Sequence, residues 1–337
     1  MVRVFVYEYL TARGTGRDPG SPEHSLYREG RAMRDAVVED FRRIPGCEAR
    51  IVGTDAGDTD HDRAFDAALD WCEFCLAIAP ETGMVLRDVC REVERRDRRL
   101  LGPSSSAVEL TTRKDRLGEC WERAGVPTPK SYGWNEWFAG RDTYPAVCKP
   151  RDGAGSAATF YLGSPNAAKD LPGRLTSEGF SEQNTLFQPY IAGLPASVSF
   201  LVAGDTAVAL PPTFQTLSTD GRFRYLGGTL PIPSGLADRA TRLARRAIEC
   251  VPGLFGYVGV DLVLGDAGDG SSDYAIEINP RLTTSYIGLR RLAGFNIAGA
   301  MVSLAGGATL PEMSWKPGRV EFDAGDRVLS DFLPGGP

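Results

Sequence analysis

Apolar and polar positions change their period along the chain in a way that predicts alternating elements. Residues 2–7, VRVFVY, alternate and are β-branched or aromatic, which predicts a strand. A loop rich in Gly, Pro, Asp and Ser runs on to Pro22. Over 28–44 the apolar Met33, Val37, Val38 and Phe41 recur at helical spacing. CEARIVG then reads as a strand, 62–73 as a helix, FCLAIA as a third strand and 81–97 as another helix, with LLGPS at 100–104 closing the unit. Alternation of this kind over about 100 residues predicts a doubly wound domain around a parallel sheet.

The middle of the chain changes character. A helix is expected over 111–125, after which VPTPKSY leads into a strand. YPAVCKP, AATFYL, TLFQPYI, ASVSFLVAG and TAVALPP follow as closely spaced strands with hairpin-like breaks, an α+β and largely antiparallel pattern. A helix is expected over 236–251. GYVGVDLVLG and SDYAIEIN flank the turn-rich DAGDGSS, a β-hairpin signature. A last helical region spans 284–305, and the tail SDFLPGGP is expected to fray.

Composition narrows the chemistry. The 337 residues are 42% hydrophobic and 24% charged, enough for two or three packed domains of ordinary surface. A net charge of −6 counts against a general nucleic-acid binder, which needs a basic surplus for phosphate. Arg95, Arg96, Arg98 and Arg99 sit late in an expected helix, where cations suit the C-terminal dipole. No run of about 18 apolar residues occurs and MVRVFVYEYL lacks a signal-peptide core, so a cytoplasmic protein with no membrane partner is expected. The seven cysteines are irregularly spaced, as expected of reduced thiols, and the Cys72–Cys75 CxxC has no second pair to complete a zinc site. His24 and His61 are the only histidines and both fall in polar, loop-like stretches. Most catalysis through Ser-His-Asp, Cys-His or His–metal sites is thereby removed from contention, which leaves Lys, Arg, carboxylates, amides and bound metal.

The chemistry-bearing residues fall into four groups. In IEINPR, Glu277 and Asn279 share one strand face while Ile276 and Ile278 are expected to point into the core. The hairpin can bring Asp261 beside them from an otherwise apolar strand, where a charge is costly unless paired or metal-bound. Two carboxylates and an amide oxygen are hard ligands suited to Mg²⁺. Lys114 lies at the start of a helix. Lys149 ends an apolar strand directly before PRDGAGS, whose Gly153, Gly155 and Ser156 can turn backbone N–H groups toward phosphate. The spacing is not that of a P-loop. FQPYIAG reads as a strand leaving its sheet at Pro189, so Gln188, Pro189, Tyr190 and Ile191 can offer free backbone groups to an adenine edge.

Taken in chain order, Lys114, then Lys149 with its glycine loop, then the linker strand, then Asp261 with Glu277 and Asn279, the four groups resemble the ATP-grasp superfamily from about Leu101 to Leu304, and the preceding unit resembles its pre-ATP-grasp domain. The resemblance implies an α/β and α+β fold. A Rossmann-like pre-ATP-grasp domain would span 1–103, a small central lobe 104–186, and a C-terminal lobe with the metal site 187–330. It implies ATP with Mg²⁺ or Mn²⁺, two ions on Asp261, Glu277 and Asn279, and Lys114 and Lys149 on the phosphates. Many members place a glutamate after the linker to hold the ribose. Here Gly193–Ser197 carries no carboxylate, leaving Ser197 or a backbone carbonyl for that contact. The implied reaction passes through an acyl phosphate, made from a carboxylate and the γ-phosphate of ATP and then attacked by an amine. Lys149 and Arg281 would stabilise the transferring group. Thr283, Thr284 and Ser285 open the last helix as N-caps or as a seat for a substrate carboxylate.

Three shorter stretches, EYLTARG, GLPASVSFL and EINPRLTTSYIGL, are similar to the archaeal tyramine–glutamate ligase group of methanofuran biosynthesis. That similarity implies glutamate as the acid and tyramine or tyrosine as the amine. Glu8 and Tyr9 end the first strand, on the side where such sheets face their ligands, and are candidates to bind the ammonium and to stack on the aromatic ring. A kinase acting on a hydroxyl would use the same metal ligands, and a non-catalytic ATP-binding module would have lost them.

Overall fold

The computed structural model describes residues 1–325 and 328–332. Among these residues three sheets form, and they follow one another along the chain. The first is wholly parallel, in the order Cys47–Arg50, Val2–Glu8, Phe74–Ile78, Arg99–Leu100. Val4, Phe5 and Val6 are each fully buried, because helices cover both faces of the sheet. Helix His24–Arg42 covers one face. Its Met33, Val37, Val38 and Phe41 also meet Ile287, Leu292 and Met301 from the far end of the chain in one continuous core. Burying such side chains stabilises by roughly 1.5–3 kcal/mol each. The polar side of the same contact is anchored on Asp40, which accepts from the Tyr286 hydroxyl at 2.7 Å and from Arg290 at 2.6 and 2.8 Å.

The second sheet is antiparallel and small: Tyr132–Gly133, Thr185–Pro189, Ala146–Pro150, Phe160–Leu162. Its core is aromatic, with Trp137 stacked on Phe187 at 5.1 Å between centroids. The third and largest sheet runs Tyr274–Asn279, Gly256–Leu264, Leu194–Ala203, Thr213–Leu217, Tyr225–Leu230, Arg319–Asp323, Val328–Phe332. Thr206–Ala209 pairs on the side with Leu194–Ala203.

Several expectations change. The helix expected over 111–125 is two helices, Ser105–Thr112 and Lys114–Arg123, because Arg113 between them is extended (φ −83°, ψ 91°). The break makes Lys114 the first residue of a new helix. The region 284–305 is likewise split into Ser285–Leu292 and Ile297–Ala305, the second capped by Asn296 on the Gly299 N–H at 3.0 Å. His24 and His61, expected in loops, each begin a helix. The strands Thr213–Leu217, Tyr225–Leu230 and Arg319–Asp323 were not legible from period alone. YLGGTL, for example, carries two glycines where a strand pattern needs side chains. Of the tail expected to fray, 330–332 close the last strand and 333–337 lie outside the described residues.

Candidate active site

A deep cleft opens between the small sheet, the large sheet and the helix His24–Arg42. It is lined by Lys114, Lys149, Gly153, Gly155, Ser156, Gln188, Pro189, Tyr190, Ile191, Ser197, Asp261, Glu277, Asn279, Arg281, Thr283, Thr284 and Ser285. These candidates span 172 positions of sequence, from Lys114 to Ser285, and the fold gathers them at one place.

The acidic floor comes from the expected hairpin. Asp261 pairs in register with Glu277, and Gly259 with Asn279. A bulge between Asp261/Leu262 leaves Ile276 without a ladder partner. Ile276 therefore lines the cleft instead of entering the core, while Ile278 is buried as expected. The Asn279 amide donates to Asp261 at 3.0 Å, and Gln215 donates to the other Asp261 oxygen at 2.9 Å. With its nitrogen so used, the polar atom Asn279 has left is its oxygen, the atom a hard cation takes. Burial and the adjacent Glu277 charge push the Asp261 carboxyl up. Burial acts on Glu277 in the same sense, but Lys114 and Lys149 outweigh it and hold Glu277 low. Two neighbouring carboxylates and an amide oxygen fit a divalent cation of the Mg²⁺ class. The described residues hold no cluster of three His, Cys, Asp or Glu that would suit a softer metal.

The cations approach from the other side. Lys114 Nζ lies 3.3 Å from Glu277 and donates to the Gly153 carbonyl at 3.0 Å. Lys149 is buried at the end of its strand. Burial brings its ammonium down to about 8, Lys114 pulls in the same direction, and Glu277 and Asp261 resist. The glycine loop between them is drawn toward the first domain. Asp152 accepts from the Gly83 N–H at 3.0 Å, and the Ala154 N–H donates to Thr82 at 3.2 Å. Gly155 has φ +65°, and a Cβ there would overlap Leu26 of helix His24–Arg42. Ser156 donates to the Phe223 carbonyl at 2.7 Å.

Arg281 reaches into the cleft and is ion-paired with Glu81 at 2.8 Å. Glu81 follows the strand Phe74–Ile78, so the first domain supplies the carboxylate that orients this guanidinium. The strand-end position of Glu81 is a signal that the sequence did carry. Glu29 and Tyr225 also line the cleft and had no such signal.

Other expectations need revision. The Glu8 carboxylate is 3% exposed, caps the helix Tyr9–Arg13 by accepting from the Leu10 and Thr11 N–H groups, and packs on Gly30. Strand-end geometry aimed it toward the crevice, but the cap holds it in the interior. Tyr9 borders a separate hollow with Tyr7, His61 and Phe65. Neither Glu8 nor Tyr9 lines the main cleft. Thr284 precedes the helix Ser285–Leu292 without a side-chain cap bond. Thr283 and Ser285 instead join the Tyr257 hydroxyl and Ser199 in a hydroxyl cluster at 2.7–3.1 Å. The Gln188 side chain is occupied by the Pro129 carbonyl and Ser131. Cys72 and Cys75 are buried, and burial raises both thiols, which is opposite to a redox thiolate.

Comparison with known proteins agrees with this geometry. The ATP-grasp domain model matches residues 113–285, and a pre-ATP-grasp domain model matches 34–108. The chain belongs to the ATP-grasp family, and it is an ATP-dependent ligase of the kind that forms carbon–nitrogen bonds. Tyramine–L-glutamate ligase of Methanocaldococcus fervens is 25% identical over 304 residues, covering 85% of this chain and 89% of that protein. A solved ATP-grasp superfamily structure from Archaeoglobus fulgidus superposes with a TM-score of 0.69 at 25% identity, covering 95% of this chain and 92% of the other. The biotin carboxylase domain of Hydrogenobacter thermophilus 2-oxoglutarate carboxylase, solved with MgADP, shares the fold at a TM-score of 0.65 and 18% identity, over 95% and 73% of the two chains. ATP and a divalent metal are the cofactors of this family. No helix among the described residues is long and apolar enough to cross a membrane.

Proposed function

We propose that the protein activates a carboxylate as an acyl phosphate and joins it to an amine, with glutamate as the acid and tyramine or tyrosine as the amine, in the biosynthesis of a methanofuran-like C1 carrier. The observation that carries this reading is the opposition of Lys114, Lys149 and Arg281 to Asp261, Glu277 and Asn279 across one cleft. The similarity to tyramine–L-glutamate ligase over most of the chain supports the substrates.

In this reading Asp261, Glu277 and Asn279 hold Mg²⁺ or Mn²⁺, two ions in all, which neutralise phosphate oxygens when bound. Lys114 and Lys149 take the remaining phosphate charge, and Gly153, Gly155 and Ser156 cover the phosphates. Gln188 through Ile191 flank the adenine, with Tyr190 beside Phe223 at 6.1 Å as an aromatic wall. Ser197, buried on its strand, is the candidate ribose contact. Arg281, already oriented by Glu81, holds the transferring phosphoryl group bidentately. Thr283, Thr284 and Ser285 face the acid substrate.

The test is ADP release with glutamate and each amine, alone and together, with mass spectrometry of the product. Release that needs both partners, and a product whose mass is their sum less water, are expected. A phosphorylated product without amide would make the protein a kinase. Binding of ATP without turnover on any pair would make it a binding module.

A further inference from the structure

The ligase reading leaves one demand unassigned. An amine arrives at neutral pH as an ammonium and must lose a proton before it can attack. A carboxylate inside the cleft and close to the activated acyl group can both hold the ammonium and take that proton.

Three carboxylates line the cleft among its described residues: Asp261, Glu277 and Glu29. The first two are committed to the metal floor. Glu29 stands apart from them on helix His24–Arg42, beside Arg281 and the Thr284 hydroxyl, and accepts from Ser25 at 3.2 Å. Arg281 thus pairs directly with Glu81 and also interacts electrostatically with Glu29. A free carboxylate at Glu29 repels an incoming carboxylate or phosphate and attracts a cation. Its place next to the guanidinium that holds the acyl phosphate puts that cation next to the electrophile.

We infer that Glu29 is the catalytic residue that binds the ammonium of the acceptor amine and takes its proton. This rests on the ligase reading above. The ammonium gives one proton to the Glu29 carboxylate. The freed nitrogen lone pair attacks the acyl carbon, and the C–N bond forms. The C–O bond to the phosphoryl group breaks, phosphate leaves with the electron pair, and it takes up the second proton shed by nitrogen. The third proton stays on the amide.

The surroundings agree with that task. Burial lifts the Glu29 carboxyl to about 7, against the opposing pull of Ser25, Arg281, Thr284 and Arg28. A base near neutrality is the efficient one at neutral pH. Facing it from the large sheet, Tyr225 is held protonated by burial and by the Glu29 charge. The charged and titratable groups around Glu29 are therefore Arg28 on its own helix, Arg281 and Tyr225.

The test uses the full-length protein, glutamate and ATP, with either tyramine or hydroxylamine as nucleophile. Hydroxylamine is largely unprotonated at pH 7 and traps an acyl phosphate without needing a base. Glu29→Gln is expected to keep glutamate-dependent hydroxamate formation within about threefold of wild type, which also shows that it folds. Its kcat/KM for tyramine is expected to fall by about 10²–10⁴, the range typical of a lost general base. The acidic limb of the wild-type tyramine pH profile, near pH 7, is expected to disappear in the variant. Glu29→Asp is expected to recover part of the tyramine activity. Equal tyramine kinetics in Glu29→Gln and wild type would overturn the inference while the ligase reading stood. So would a loss of hydroxamate formation equal to the loss of amide, which would move Glu29 to the acid side. Absence of both hydroxamate and amide in wild type would remove the ligase reading for these substrates, and the inference with it.

Discussion

At the scale of single side chains, the proposed metal and phosphate roles can be tested one residue at a time. Glu277 stands against Asp261 on one side and Lys114 on the other, so in the proposed reading neutralising it removes a metal ligand and frees the lysine. Glu277→Gln is nearly isosteric. Circular dichroism is expected to match wild type, while the Mg²⁺ concentration for half-maximal ADP release rises at least tenfold. An unchanged Mg²⁺ titration would remove Glu277 from the metal site. Lys149 supplies a pH dependence whose sign follows from its burial. Its ammonium, brought down to about 8, is charged below that pH and neutral above it in the free protein. Bound polyphosphate favours the charged form, so binding above pH 8 draws in a proton. Affinity for a non-hydrolysable ATP analogue is therefore expected to weaken as pH rises from 8 to 10 by up to about tenfold per unit. Calorimetry in buffers of different ionisation enthalpy reads the proton uptake directly. Lys149→Arg, which stays charged, is expected to flatten the curve. Lys149→Met is expected to bind weakly at every pH and to lower kcat by about 10²–10³.

At the scale of elements, the site depends on how the helix after the metal strand is seated. Helix Ser285–Leu292 lies against Tyr225–Leu230 and Arg319–Asp323, and Gly288 is the point of closest approach. A Cβ there would come within 2.5 Å of Leu230 and 2.7 Å of Phe322, both buried. Relief requires the buried Leu230 and Phe322 side chains to shift or the helix to move off the sheet. Gly288→Ala gains helix propensity of about 1 kcal/mol and loses packing of about 1–3 kcal/mol. A net lower Tm is expected, together with a raised KM for the acid, because Thr283, Thr284 and Ser285 ride on that helix start. A Tm at or above wild type would show that the strands yield instead. The same element shows why the last helical region was read as one piece. Its apolar period continues through Ala293 to Phe295, and only the Asn296 cap and the turn at Gly294 mark the restart.

At the scale of the molecule, the first domain forms part of the cleft. Helix His24–Arg42 carries Glu29 into the cleft, Leu26 against the glycine loop and Asp40 into the C-terminal lobe. Asp40 holds Arg290, Tyr286 and, through its carbonyl, Asn296 at 2.8 Å. Asp40→Ala removes the buried partner of the largely buried Arg290 guanidinium and leaves it the half-exposed Glu39. It is expected to cost about 3–5 kcal/mol in urea unfolding. Tyr286→Phe, which removes one hydrogen bond, is expected to cost about 1 kcal/mol. Similar costs for the two would mean that Arg290 finds another partner, such as Glu39, which already lies 2.8 Å away.

What the sequence determined by itself is the local chemistry. A strand's period of two placed Glu277 and Asn279 on one face, a turn-rich insert folded Asp261 back onto them, and an apolar strand ending in lysine ran into a glycine loop. Each depends on contacts a few residues to some tens of residues apart, which patterning encodes directly. The order of these pieces was enough to indicate the family. Only the tertiary structure decided which carboxylates of the first domain line the cleft. Glu8 sits at a strand end, where a ligand contact is expected, but the helix that starts at Tyr9 claims its oxygens as a cap. Glu29 sits in the second turn of its helix with no local mark. It reaches the cleft because Met33, Val37 and Phe41 on the same helix are buried against Ile287 and Met301, more than 240 residues away in sequence. The face a helix turns toward a distant lobe is set by the joint packing of both, and no period within either segment records it.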